Sequence, residues 1–200
     1  AGIVGSDGET HQGIFDVSYL SLIPNIKILS PKSTEEVEKM LRWAIKQSGP
    51  IAIRYPRGGD EFKIKPLDKI VQGKWEIVDN GQKTAIIASG RMLIKAYLTK
   101  KEYKLHSMII NACFLKPIDD KMLEFLSKKH YNILMIEDNV LNGGLTSMVS
   151  SKLMELNYKG KVMSLGFNDK FIEQGTPEEL YKKENITKEE IRKKIAMLEK

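Results

Sequence analysis

Four short apolar runs in the second half of the chain constrain its fold most. Thr84-Ala85-Ile86-Ile87-Ala88, Ser107-Met108-Ile109-Ile110, Ile133-Leu134-Met135-Ile136 and Val162-Met163-Ser164-Leu165 are rich in β-branched side chains and show no polar alternation. Strands of that kind are covered on both faces, and helical segments near 91–100, 119–128 and 143–157 fall between them to supply the cover. Strand and helix in repeated alternation predict an α/β protein with a mostly parallel sheet.

The first half carries the same signals more sparsely. Gly2-Ile3-Val4, Asn25-Ile26-Lys27-Ile28-Leu29 and Ile51-Ala52-Ile53 read as strands. Ser33-Thr34-Glu35-Glu36 is a capping box, followed at helical spacing by Val37, Met40, Leu41, Ala44 and Ile45, and Gly49-Pro50 stops that helix. Between about residues 58 and 73 the pattern weakens. Gly58-Gly59-Asp60-Glu61 and Lys63-Ile64-Lys65-Pro66 read as an extended linker, which divides the chain into 1–60, a linker over 61–75, and 76–200. Thr176-Pro177-Glu178-Glu179 and Thr187-Lys188-Glu189-Glu190 open two further helices. The first 57 residues offer two or three strands, where sheets of this class carry about five or six. They are therefore expected to be the later part of one domain, and the chain the C-terminal part of a larger enzyme.

Composition excludes several classes. Of 200 residues, 42% are hydrophobic and 29% charged, as in ordinary globular proteins. No run approaches the roughly 20 apolar residues of a membrane span, and the first residues lack the basic and apolar regions of a signal peptide. The single cysteine, Cys113, has no metal-ligand partner at a plausible spacing, reads as a small core residue, and favours a reducing cytoplasm. The net charge of +6 comes from lysines interleaved with glutamates, a solvated helix-face pattern rather than a nucleic-acid footprint.

Two segments carry candidate chemistry. Gly5-Ser6-Asp7-Gly8-Glu9-Thr10-His11-Gln12-Gly13 places an acid, a hydroxyl, an imidazole and an amide among three glycines. Such a segment is either a loop presenting polar groups to a ligand or a tight surface turn facing water. His11 is suited to proton transfer near neutral pH; Asp7 could orient it, accept a substrate hydroxyl, or brace the loop as an Asx-turn. In Arg54-Tyr55-Pro56-Arg57-Gly58, Arg57 presents a planar fork of donors suited to phosphate, where a strand ends at a cleft. Arg54 is expected to make a structural ion pair and Tyr55 to pack. Glu137-Asp138-Asn139 with Gly143-Gly144, at a strand-to-helix junction, reads as structural or interfacial because its acids argue against an anion there.

Taken together, Asp7 to Asp16, Ser18-Tyr19-Leu20, Ile23-Pro24-Asn25, Gly49-Pro50, Arg54 to Gly58, Lys116-Pro117-Ile118-Asp119, Glu137-Asp138-Asn139 and Phe171-Ile172-Glu173-Gln174-Gly175-Thr176 resemble one family along the whole chain. That family is 1-deoxy-D-xylulose-5-phosphate synthase, and Glu9 is a departure from its common pattern. Transketolase and the β subunits of 2-oxo-acid dehydrogenases differ after the histidine and do not normally carry Arg-Tyr-Pro-Arg-Gly. The resemblance implies the end of a transketolase-type pyrimidine-binding domain over 1–60 and a complete transketolase C-terminal domain over 76–200. It also implies a transferase that condenses pyruvate, with loss of carbon dioxide, and D-glyceraldehyde 3-phosphate, in the supply of isoprenoid and thiamin precursors. By the resemblance, His11 is catalytic, Asp7, His11 and Arg57 bind substrate, and Arg57 takes the acceptor phosphate. Thiamin diphosphate and Mg²⁺ are implied for the parent enzyme, but their main binding residues are absent from this chain. A homodimer completed by N-terminal domains is expected, with the chain alone inactive. The alternative is a non-catalytic assembly module or a separate C-terminal subunit.

Overall fold

In the computed structural model, residues 1–5, 7–60 and 62–200 are described; Ser6 of the glycine loop and Glu61 of the expected linker lie outside them. After a single 3-10 turn at Glu9–His11 come α1 (Asp16–Leu20), β1 (Lys27–Leu29), α2 (Thr34–Ala44) and β2 (Ile51–Ile53). There follow β3 (Glu76–Asp79), β4 (Thr84–Ala88), α3 (Gly90–Tyr103), β5 (Met108–Asn111), β6 (Phe114–Lys116) and α4 (Asp120–Lys128). The chain ends through β7 (Asn132–Val140), α5 (Leu145–Glu155), β8 (Val162–Phe167), α6 (Pro177–Lys183) and α7 (Lys188–Leu198).

The larger sheet has the order β3-β5-β4-β7-β8, with only the β3–β5 pair antiparallel. The four apolar runs are its parallel strands. Ile86, Ala88, Ile109, Leu134 and Ile136 pack with Met92, Leu93 and Ala96 of α3 and Ile191 and Ile195 of α7. The alternate residues Ala85, Ile87, Ile110, Ile133 and Met135 pack on the opposite face with Leu123 of α4 and Val149 and Leu153 of α5. Period-two alternation thus sends successive apolar residues to two helical layers, which is why the runs needed no polar face.

The smaller sheet, β2-β1-β6, pairs β1 parallel to β2 and antiparallel to β6. A strand from beyond residue 76 therefore joins the sheet of the first 60 residues. The stretch between is held down: Leu67 and Ile70 pack with Leu29, Met40, Cys113 and Phe114. The Leu67 N–H donates to Glu36 Oε1 at 2.8 Å, and Lys39 donates to the Leu67 carbonyl at 2.9 Å.

Two expectations are corrected. Gly2-Ile3-Val4 is not a strand, because only one bridge, Gly2 with Gly13, forms there. The next two N–H groups are taken by side chains, Ile3 by Asp138 (3.4 Å) and Val4 by Gln12 (2.8 Å), so no ladder propagates. The Ser33 box is one-sided. Ser33 Oγ accepts from Glu36 N at 3.2 Å, but the buried Glu36 carboxylate turns to the Lys32 N–H (3.0 Å), Lys32 Nζ and Leu67. At Thr176 the box is complete, with Glu179 returning to the Thr176 N–H at 3.1 Å.

Candidate active site

The polar loop is fastened from below by Gln12, which sequence reasoning passed over. Its buried amide accepts from Val4 N and donates to the Glu173 carbonyl at 3.0 Å and to Gly5 O at 3.4 Å. The Phe171 to Thr176 motif is therefore the backing of the loop, and Phe171 meets Phe15 edge-on at 5.4 Å between ring centroids. An uncharged amide set between His11 and Gly13 was the available signal: in an exposed turn it would have no reason to be buried.

Arg54 forms the second fastening. Its Nε lies 2.9 Å from both carboxylate oxygens of Asp16, and Nη2 donates to the carbonyls of Gly13 (3.1 Å) and Asp138. Burial alone would lower the guanidinium pKa, yet the charges of Asp16 and Asp138 more than offset it and hold the group firmly protonated. This is the structural ion pair expected of Arg54, and it joins the loop, α1 and the end of β7.

Glu137-Asp138-Asn139 completes that junction. Glu137 caps α5, accepting from Leu145 N (2.9 Å) and Thr146 N (3.0 Å); burial nevertheless pushes its carboxyl up to about 7. Asp138 Oδ1 faces Ile3 N, and burial raises its pKa against the pull of Arg54. Asn139 accepts from Val17 N at 3.3 Å and donates to Ser18 Oγ at 3.0 Å. The motif binds the two halves of the chain together. Its second glycine is sterically required, since a Cβ on Gly144 would sit 2.2 Å from Glu137 Oε2 and 2.7 Å from the Val140 carbonyl. Gly144→Ala is expected to cost about 2–3 kcal/mol through overpacking at the cap. A urea titration of the 200-residue chain checks this, and a change under about 0.5 kcal/mol would refute it.

Above these fastenings lie the candidate site residues. Asp7 and Arg57, 50 positions apart, form an ion pair whose side chains are 40% and 62% exposed. Of the three roles open to Asp7, orienting His11 is not the one adopted; its carboxylate meets Arg57. His11 is exposed at the end of the 3-10 turn, its N–H bonded to Gly8 O at 3.1 Å and its Nδ1 lying 3.0 Å from Thr10 Oγ1. A cleft of about 360 Å³ opens beside Arg57, between the start of α2, the segment after β2 and the start of α3. The described residues lining it include Tyr55, Phe62 and Arg91, but neither Asp7 nor His11. Tyr55 corrects an expectation: instead of packing it is 56% exposed. The extended backbone turns Arg54 inward and its neighbour outward.

Cys113 is the expected core residue. It is buried, its Sγ lies 3.0 Å from the Lys74 carbonyl, and burial pushes its pKa up to about 12. Among the described residues no three His, Cys, Asp or Glu side chains converge as metal ligands. Nor, among the described residues, is any helix long and apolar enough to cross a membrane.

A five-stranded, mostly parallel sheet between helical layers, with a smaller sheet carrying the polar loop, defines a transketolase-type α/β protein. Solved structures of that class share it. One described as a split-gene transketolase, inactive β4 tetramer, superposes with a TM-score of 0.85 at 24% identity, covering 95% of this chain and 62% of that one. Transketolase from Campylobacter jejuni gives 0.73 at 17% identity, covering 97% of this chain and 29% of that one. At such identities the likeness speaks to fold alone. The chain belongs to the family described as transketolase, C-terminal domain, whose model matches residues 73–191; residues 1–59 match the transketolase pyrimidine binding domain. Among curated proteins it is 52% identical over 202 residues to 1-deoxy-D-xylulose-5-phosphate synthase of Clostridium beijerinckii, covering 99% of this chain and 33% of that protein. It is 49% identical over 203 residues to the synthase of Clostridium perfringens strain 13, with the same coverage. The chain thus spans about a third of the length of these relatives.

Proposed function

We propose that this chain provides the acceptor-binding part of a 1-deoxy-D-xylulose-5-phosphate synthase. That enzyme joins pyruvate, after loss of carbon dioxide, to D-glyceraldehyde 3-phosphate, in a dimer in the cytoplasm. The observation that carries the reading is the meeting of Asp7 and Arg57 on a rigid base. An exposed ion pair is worth under about 1 kcal/mol, so a phosphate dianion can take the Arg57 fork from Asp7 at little cost. Asp7 is then left to accept a hydroxyl of the same acceptor, and His11 to pass a proton at the aldehyde oxygen that becomes the new hydroxyl. Arg54, Gln12 and Asn139 hold those groups in place without touching substrate. About 50% identity to named synthases supports the reading.

In this proposal thiamin diphosphate, with Mg²⁺, supplies the decarboxylation chemistry from residues outside this chain, and no step on these residues runs through it. The test joins this chain to the other two-thirds of the C. beijerinckii synthase and follows carbon dioxide release with both substrates, thiamin diphosphate and Mg²⁺. Turnover by the joined protein and none by the chain alone is the expected result. A joined protein that folds, binds thiamin diphosphate and shows no turnover would refute the proposal.

A second reading, a separate subunit or assembly module, has one specific observation in its favour. The similar solved structure is described as the inactive β4 tetramer of a split-gene transketolase. If this reading holds, the chain self-associates in sedimentation equilibrium and restores turnover when mixed, unjoined, with the remaining two-thirds.

A further inference from the structure

Arg91 occupies the first turn of α3, in the half of the chain that carries no candidate catalytic group, yet it reaches across to both arms of the site. Its Nη2 donates to the Arg57 carbonyl at 2.8 Å, and its Nη1 lies 3.5 Å from the Ile3 carbonyl. Ile3 leads into the loop that bears Asp7; Arg57 ends the arm that follows β2. One guanidinium therefore spans the backbones of the two segments whose side chains form the ion pair. It also acts electrostatically on Asp138, buried at the end of β7, and on Tyr181, buried in α6.

We propose that Arg91 is a positioning residue for the phosphate of the acceptor, setting the distance between the Arg57 fork and the Asp7 loop. The inference rests on the function proposed above. A planar fork can hold two carbonyls at a fixed separation; an ammonium holds one point, and a neutral side chain holds none. The Arg57 carbonyl lies on an exposed residue and can turn to water, whereas Ile3 is buried and anchored by its own core contacts, so losing the clamp loosens the Arg57 arm rather than unfolding the chain. Phosphate binding then suffers, because its bidentate geometry is demanding. The parts of the reaction that do not use the phosphate are untouched.

The test measures KM and kcat for D-glyceraldehyde 3-phosphate and for unphosphorylated D-glyceraldehyde in the joined protein, with Arg91→Met, Arg91→Lys and Arg57→Met. Arg91→Met is expected to raise KM for the phosphorylated acceptor about tenfold and to change kcat less than about twofold. KM for glyceraldehyde and for pyruvate stays within about twofold, and Arg91→Lys recovers part of the loss. Equal changes for the two acceptors, or a loss confined to kcat, would overturn the proposal, because a general loosening moves both. If Arg57→Met removes the phosphate preference and Arg91→Met does not, Arg91 has no positioning role although the function stands. If Arg57→Met leaves the preference intact, the function proposed for Arg57 fails and the role of Arg91 falls with it. Thermal unfolding of each variant separates a folded, loosened site from a damaged protein.

Discussion

Arg54→Met is expected to cost about 3–5 kcal/mol of stability, the largest loss from any single polar substitution considered for this chain. The guanidinium is buried against Asp16 and the carbonyls of Gly13 and Asp138. Methionine fills much of the same volume but leaves a largely buried Asp16 carboxylate, whose side chain is 18% exposed, without its partner and two carbonyls with fewer donors. Arg54→Lys should recover less than half of the loss, because an ammonium cannot meet both carboxylate oxygens and two carbonyls at once. Urea unfolding of the 200-residue chain measures both. A double-mutant cycle with Asp16→Asn should show coupling above about 1.5 kcal/mol. A cost for Arg54→Met under about 1 kcal/mol would mean that the loop, α1 and β7 are held together chiefly by their apolar contacts.

Arg57→Met carries the largest expected effect on function and a small one on stability. Its pair with Asp7 is exposed, so unfolding should shift by less than about 1 kcal/mol. Discrimination is another matter. Two charge-assisted hydrogen bonds to a phosphate contribute about 3–4 kcal/mol together, a factor of roughly 10²–10³ in kcat/KM for the phosphorylated acceptor over D-glyceraldehyde. Arg57→Lys should fall between, keeping the charge but not the fork. Steady-state kinetics of the joined protein with both acceptors decides it. A ratio that changes less than about threefold would remove Arg57 from phosphate recognition.

The contrast between these two arginines, three residues apart, shows how far the sequence could be read. Both belong to one motif, and the expectation of a structural role for Arg54 and a recognition role for Arg57 followed from residue chemistry and resemblance. What the motif did not contain is the identity of their partners. Asp16 was visible as part of the histidine loop, but nothing local marked it as the acid facing Arg54. Asp7 stood with three roles open, and pairing with Arg57 was not among them. Each pairing joins positions far apart in the chain, and such distances become short only when the whole backbone is placed.

The apolar runs at 84–88, 107–110, 133–136 and 162–165 were legible because strand periodicity is a local property, and the two helices after them announced their starts through Thr176 and Thr187. The short elements were not. Five-residue α1 and three-residue β6 are too brief to establish a period, and β6 exists only because β1 offers it an edge. Likewise, Glu36 carried the signature of a cap, but burial drew it to Lys32 and Leu67 instead. By itself the sequence determined the layered α/β class and the family, since these follow from local pattern and from motifs read along the whole chain. Only the tertiary structure decided that Gln12 anchors the loop, that Glu137-Asp138-Asn139 joins the two halves, and that Arg91 reaches both arms of the site. Those roles depend on which distant groups burial and hydrogen bonding bring within about 3 Å, and no local pattern encodes that.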